Sequence, residues 1–463
     1  MRLPCLFTAR ALGSILLVCA LQGASSSASA APSFTLTPLE ISNGSSEPEI
    51  AIGSDGTTAM VSLQWLFETP PFGSELWTGV FGSTPVAQGA VDSTLQHPGK
   101  TIFGGEDADI DIGSTGRIHV TSLIALAKPI KGAQIGVSAI TCPSPSSSSF
   151  SVGKCTAQTI DTTESDRPWI TSDGSHVYIA YHDSGASSLI HVQRSDDDGF
   201  TWKRAGDPIV GQGGTTADAT HNNIQGNLVA DPQTHNVYDI YVAGETGFLK
   251  ARTFTLNQVI VSRSADLGKT WTANIVFKAP AGTNLANIFP ALAVDPTNGY
   301  LYAVWSDGVA VGFSSSSDQG STWSTPVTVS SAPVKTAILP WVAAYNGVVD
   351  VVYYGTSAAA NLDPGAVWYV YFAQLSGGSF TQTQVNPASN HVGAICTGGT
   401  ACGPGTRNLL DLFQIAIDPV VSKAAIIYTD DTLTTSDVPG NFACLAGEGP
   451  SCPLPQAVLA QQN

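Results

Sequence analysis

The sequence predicts an all-β chain folded as a β-propeller of seven blades, with six as the alternative, and three observations carry that expectation. The first is an octapeptide, Ser-x-Asp-x-Gly-x-Thr-Trp, present at Ser195–Trp202, Ser264–Trp271 and Ser316–Trp323. Its Ser and Asp side chains accept hydrogen bonds from nearby backbone N–H groups, Gly supplies a positive φ, and Trp offers a broad apolar face to bury. The second is a hairpin cadence that returns seven times along the chain. The third is the lack of any helical period of useful length.

Residues 1–30 read as a secretory signal, with Arg2 and Arg10 as the basic start, Ala11 to Leu21 as a short apolar run and Ala28-Ser29-Ala30 as a small-residue cleavage site. The expected product is secreted, extracellular or periplasmic, and residues 31–463 form a single propeller domain. The apolar run is too short to span a membrane. Phe34 to Ile41 has no partner of its own and is expected to complete the last blade with the C-terminal strands, which removes exposed sheet edges.

The hairpins then follow in order. Glu49 to Gly56 leads into Ala59 to Leu66, Asp109 to Gly116 into Ile118 to Leu126, and Trp169 to Gly174 into Val177 to Tyr181. The cadence returns at Leu228 to Tyr241, Ala291 to Trp305, Trp341 to Tyr354 and Phe413 to Tyr428. These strands are apolar at nearly every position, as expected for strands covered on both faces. Outer strands at Leu189 to Arg194, Gln258 to Arg263 and Val309 to Ser314 each run into an octapeptide.

After the signal, six cysteines fall into three close pairs, Cys142 with Cys155, Cys396 with Cys402, and Cys444 with Cys452. Disulfides suit an exported chain, and the spacings lack the tight Cys-x-x-Cys of a zinc site. The formal charge of −17 and the lack of a Lys or Arg cluster exclude nucleic acid as a natural partner. Asp107-x-Asp109-x-Asp111-x-Gly113 has the opening of a calcium loop, but its interleaved isoleucines read as strand, so no metal and no cofactor is expected.

The octapeptide resembles the Asp-box, or BNR repeat, of secreted bacterial sialidase-like propellers, where it closes the hairpin between the third and fourth strands of a blade. The resemblance implies that Asp197, Asp266 and Asp318 are structural and that chemistry sits at the opposite face. It also implies an exo-acting glycoside hydrolase on extracellular glycans, with a Tyr nucleophile activated by Glu, an Asp acid/base and arginines that bind a sugar carboxylate. Sialidases have six blades and an Arg-Ile-Pro or Arg-Leu-Pro motif near the mature N-terminus; this chain has seven hairpins and lacks that motif.

In a propeller, the loops entering each innermost strand and leaving the second crowd one mouth of the channel. Entry-side polar residues include Glu47, Asp107, Asp166, Arg167, His221, Asn222, Arg407 and Asp411; the leaving side offers His182, Asp183, Glu245, Tyr354, Asp430 and Asp431. Only seven arginines lie beyond residue 30, and two of them, Arg167 and Arg407, fall at strand entries, where a guanidinium can clamp a carboxylate or tie a loop to a neighbouring acid. The candidate catalytic set is Asp166, Glu245 and Tyr354. Candidate substrate contacts are Arg167, Arg407, His182, His221, Asn222 and the sugar-stacking Trp169, with Arg252 as the third arginine that a sialidase-like carboxylate clamp would need. A non-catalytic propeller binding a glycan or a protein is the alternative function, and a polysaccharide lyase the further one. The chain is expected to act as a monomer.

Overall fold

A computed structural model of the chain describes residues 31–39, 44–64, 73–92, 95, 101–128, 132–146, 150–163, 165–183, 189–209, 223–244, 256–399, 402–403, 405–434 and 453–463. Strands dominate, and they assemble into seven antiparallel sheets. Blade 1 runs Ser45–Ile52, Thr57–Gln64, Ser74–Val80 and Val86–Ala90; blade 2 runs Thr101–Ile112, Ile118–Lys128, Gly132–Cys142 and Thr156–Asp161. Blade 3 comprises Ser165–Asp173, His176–Asp183, Ile190–Ser195 and Lys203–Arg204. Blade 4 comprises Asn223–Ala230, Val237–Ala243, Gln258–Ser264 and Thr272–Lys278, and blade 5 Ala291–Val294, Leu301–Ser306, Val311–Ser316 and Val327–Thr328. Blade 6 is built from Thr336–Tyr345, Val348–Thr356, Val367–Ser376 and Ser379–Gln384, with His391–Val392 paired beside the third strand. Blade 7 takes Gln414–Asp418, Lys423–Asp430 and Gln456–Gln462, and its outer edge is covered by Phe34–Pro38, whose Phe34 pairs with Gln462 and Pro38 with Val458. The seven-bladed all-β expectation is met, and the Asp-rich run from Asp107 lies within the first strand of blade 2.

Because successive strands of a blade are antiparallel, the turns after strands one and three lie at one end, and the connections after strands two and four at the other. The three octapeptides occupy the first end, each between a third and a fourth strand. In Ser264–Trp271, Gly268 N donates to Ser264 Oγ (2.9 Å), Thr270 N and Oγ1 donate to Asp266 (2.8 Å each), and Trp271 Nε1 donates to Gly268 O (2.9 Å). Ser195–Trp202 repeats every one of these bonds. The hydrogen-bond frame belongs to the turn itself, so Asp266→Ala is expected to cost roughly 1–2 kcal/mol. A shifted urea midpoint would register it, while any activity at the far end should be unchanged.

The same end also stitches blades together. Arg117 Nε and His119 Nε2 on blade 2 meet Asp198 of the blade 3 octapeptide at 3.1 and 3.2 Å. His235 of blade 4 meets Asp173 of blade 3 at 2.6 Å, and Asn346 N and Gly347 N of blade 6 donate to Asp295 of blade 5 at 3.1 and 2.7 Å. Apolar side chains fill the seams, with Tyr178, Tyr238 and Trp368 fully buried. Between blades 4 and 5 the chain approaches closely at Gly226, where a Cβ would stand 2.1 Å from Pro290 O and 2.8 Å from Ile240 Cγ2. Gly226→Ala should therefore destabilise the chain by about 3 kcal/mol through overpacking, with the urea midpoint lowered and the slope unchanged.

The Cys142–Cys155 bridge joins the third strand of blade 2 to the entrance of its fourth, where no octapeptide stands, and Cys396–Cys402 closes a six-residue step in the loop between blades 6 and 7. Cys444, Cys452 and the secretory segment lie outside the described residues. Among the described residues no helix is long and apolar enough to cross a membrane.

Candidate functional site

The entry to the innermost strand is bulged in blade after blade. The register of the first hairpin shifts between Ser46 and Glu49, Glu106 and Asp109, Asp166 and Trp169, Gln225 and Leu228, and Ile338 and Trp341. At these bulges, or at the matching entry, Glu47, Asp107, Arg167, Phe289 and Leu339 adopt positive φ of 49°, 44°, 54°, 32° and 52°. A left-handed residue with a Cβ costs on the order of 1–2 kcal/mol, so its recurrence at one end needs packing or polar contacts to hold it. A bulge re-aims the side chain. Here the re-aimed side chains meet.

They meet on Arg167. Its Nη1 donates to Asp107 Oδ1 of blade 2 at 3.0 Å and lies 3.5 Å from Glu47 Oε1 of blade 1. Its Nη2 pairs with Asp411 at the entry to blade 7, Nε lies 3.7 Å from Asp166 Oδ1, and the guanidinium carbon stands 5.0 Å from the centre of the Phe289 ring of blade 5. Contacts from blades 1, 2, 5 and 7 to one side chain of blade 3 place that guanidinium over the propeller axis. Arg407 shares Asp411 with it, and Asp411 N donates to Glu47 Oε1 at 3.0 Å.

Exposure divides the cluster. Asp166 is 36% exposed at its side chain and Arg407 24%, against 3% for Glu47 and 1% for Asp411. Burial raises the carboxyl of Glu47 and pushes that of Asp107 well above the usual range, against the pull of Arg167, and the neighbouring Glu47 raises Asp107 further. Two carboxyls on one guanidinium do not both ionise freely, which favours a proton on the more strongly raised Asp107.

His182 is set by its neighbours as well. Nδ1 lies 2.8 Å from Asp183 O, which accepts its proton and leaves Nε2 unprotonated in the neutral ring, 3.9 Å from Asp166 Oδ2. Burial lowers its basicity more than Asp166 restores it, so the ring is neutral at neutral pH. Below this layer, Asp109 accepts from Ile110 N and Ile170 N at 2.8 Å each and from Gln414 Nε2 at 3.3 Å, and burial pushes it up to about 7. Glu49 is fully buried with neither carboxyl oxygen hydrogen-bonded, and desolvation drives it well above the usual range. The channel beneath holds a cavity of about 260 Å³, bordered by Asp109, Asp111, Asn227 and Gln414.

The structure thus brings Asp166, Arg167, His182 and Arg407 to one mouth. Two expectations need correction. Tyr354 is fully buried, stacked on Phe413 at 4.2 Å, with its hydroxyl accepting Thr429 N at 3.1 Å, and burial raises its pKa above that of an ordinary phenol, so it does not face the mouth as an accessible nucleophile. Trp169 is 1% exposed, packed edge-on to Phe289 at 5.5 Å and against Trp341 at 5.4 Å, which leaves no face for a sugar. Glu245, His221, Asn222 and Arg252 lie outside the described residues.

Sequence reasoning placed Glu47, Asp107 and Asp411 at the mouth without ranking them, and passed over Phe289. A signal for these positions was present: Glu47-Pro48, Arg167-Pro168, Phe289-Pro290 and Leu339-Pro340 recur at strand entries, where a residue without an N–H suits a bulge that leaves the position unpaired. Also unforeseen is the anchor of the Arg407 loop. Buried His391 Nδ1 meets Asp431 Oδ2 at 2.8 Å, and Asn408 Nδ2 donates to the same oxygen at 3.0 Å.

No protein-family model and no curated protein matches the chain. Among solved structures, it is similar to the Penicillium chrysogenum alpha-L-arabinanase at 11% identity, over 92% of this chain and 97% of that one, with a TM-score of 0.43. It is also similar to the alpha-L-arabinofuranosidase from Fusarium graminearum, at 14% identity over 70% and 92% with a TM-score of 0.46. NanB sialidase from Streptococcus pneumoniae follows at 10% identity over 93% and 70%, with a TM-score of 0.44. Each value lies below the level from which a shared substrate or mechanism can be inferred.

Proposed function

We propose that the chain is a secreted carbohydrate-active propeller, a glycoside hydrolase whose reaction takes place at the mouth around Arg167. The observation that carries this reading is a pair of unlike carboxyls on one guanidinium: Asp107, 3.0 Å from Arg167 Nη1 and raised by burial, and the more exposed Asp166, 3.7 Å from Arg167 Nε. Glycoside hydrolysis needs that combination: a protonated carboxyl to give its proton to the leaving oxygen, and an ionised one to activate water or to attack the anomeric carbon. In this assignment Asp107 is the acid. Asp166 is the base or nucleophile, and Glu47 and Arg167 set the protonation and position of Asp107. Water supplies the hydroxyl that completes the sugar and the proton that restores Asp107.

The sialidase-like version, with Arg167 and Arg407 gripping an acidic sugar, has less geometric support, since every nitrogen of Arg167 already faces a carboxylate. A lyase is the second reading, favoured by His182, whose neutral ring presents an unprotonated Nε2 suited to taking a proton beside a uronate. A panel of aryl glycosides and polysaccharides, followed by reducing-end release and by ultraviolet absorbance, separates the readings. Reducing ends without absorbance, reduced at least about 100-fold by Asp166→Asn, is the expected outcome. Absorbance of an unsaturated product would replace it with the lyase, and glycan binding without turnover would leave a binding propeller.

A further inference from the structure

We propose that the mouth selects a neutral glycan and rejects carboxylated sugars. This deepens the glycan-site reading and rests on it. Anion recognition by a guanidinium needs a free edge with two parallel N–H groups. Arg167 offers none: Nη1 faces Asp107 and Glu47, Nη2 faces Asp411, and Nε faces Asp166. One flat side also lies over Phe289. Arg407 spends Nη2 on the same Asp411 carboxylate.

The charge count points the same way. Four carboxyls, Glu47, Asp107, Asp166 and Asp411, surround two guanidinium groups, so acids outnumber cations two to one in the cluster. His182 adds no compensating charge, because burial keeps it neutral. A sugar carboxylate entering here would meet Asp166, the most exposed acid of the group, before any unpaired cation. Neutral hydroxyls face no such opposition: Asp166 and Asp107 accept their hydrogen bonds, and Arg407, 24% exposed at its side chain, donates.

The test is binding, measured apart from turnover. Matched pairs differing only in charge, methyl glucoside with methyl glucuronide, methyl galactoside with methyl galacturonide, and lactose with sialyllactose, are titrated by ligand-observed NMR at low salt and at 0.5 M NaCl. The neutral member of at least one pair should bind, with its acidic counterpart weaker by about tenfold or more, a gap that narrows with salt and in Asp166→Asn. An acidic member that binds as well as its neutral partner, or better, overturns the inference and leaves the hydrolase reading to the turnover assay. Neutral binding without turnover keeps the charge selection and removes the hydrolase. No binding by any pair overturns both.

Discussion

Replacing Arg167 with methionine is expected to lower the stability of the fold by about 3–5 kcal/mol, the range for removing one partner from a buried ionic cluster. Methionine keeps most of the volume over Phe289 but leaves Glu47 and Asp107 without their cation and Asp411 with Arg407 alone. The loss should depend on pH in a defined direction. Without Arg167, the positive charge that holds Glu47 and Asp107 down is gone, so their folded-state pKa rises further above the unfolded value and stability falls more steeply as pH rises. Urea unfolding at pH 5 and pH 8 reads this directly: a smaller deficit at pH 5 is predicted. An equal deficit at both values would mean that Arg167 acts through packing alone.

The wild-type chain should itself be more stable in mild acid than in mild base. Burial pushes Asp92, Asp109 and Asp350 up to about 7, and Asp430 up to about 6. A carboxyl with a raised folded pKa binds its proton more tightly in the native state, so its contribution is complete below the unfolded value near 4 and is lost as pH climbs through 7. Asp196 and Asp318, held near 2 by hydrogen bonds, work oppositely, and only below about pH 4. The optimum therefore falls near pH 4–5. Tm at pH 5 should exceed Tm at pH 8 by roughly 5 °C or more, and Asp109→Asn should flatten the slope. A Tm that rises from pH 5 to pH 8 would contradict the burial of these groups.

Much of the fold was legible because it repeats. Seven apolar hairpins, three octapeptides and an unpartnered N-terminal strand are local patterns, and each maps to a stated place in a blade. The mouth was legible only in outline. Topology told which loops enter the inner strands, so Asp166, Arg167 and Arg407 could be named, but the convergence of Glu47, Asp107 and Asp411 on one guanidinium spans up to 364 residues of sequence. Spacing carries no trace of such a contact. Tyr354 and Trp169 were misread for a related reason: they end or begin inner strands near the mouth, and whether such an aromatic faces the channel or the seam between blades depends on the bulge beside it. Trp169 follows the register shift of blade 3, and its ring is turned into the seam beside Phe289 and Trp341.

Whether Asp107 delivers the proton for glycoside cleavage is decided by one comparison. Hydrolysis of the best substrate from the panel is measured for the wild type and for Asp107→Asn, each shown folded by its thermal transition. The account predicts a fall in kcat/KM of at least about 100-fold in the variant, partly recovered on aryl glycosides whose good leaving groups need no proton. Full activity in a folded Asp107→Asn protein would contradict it and move the acid elsewhere.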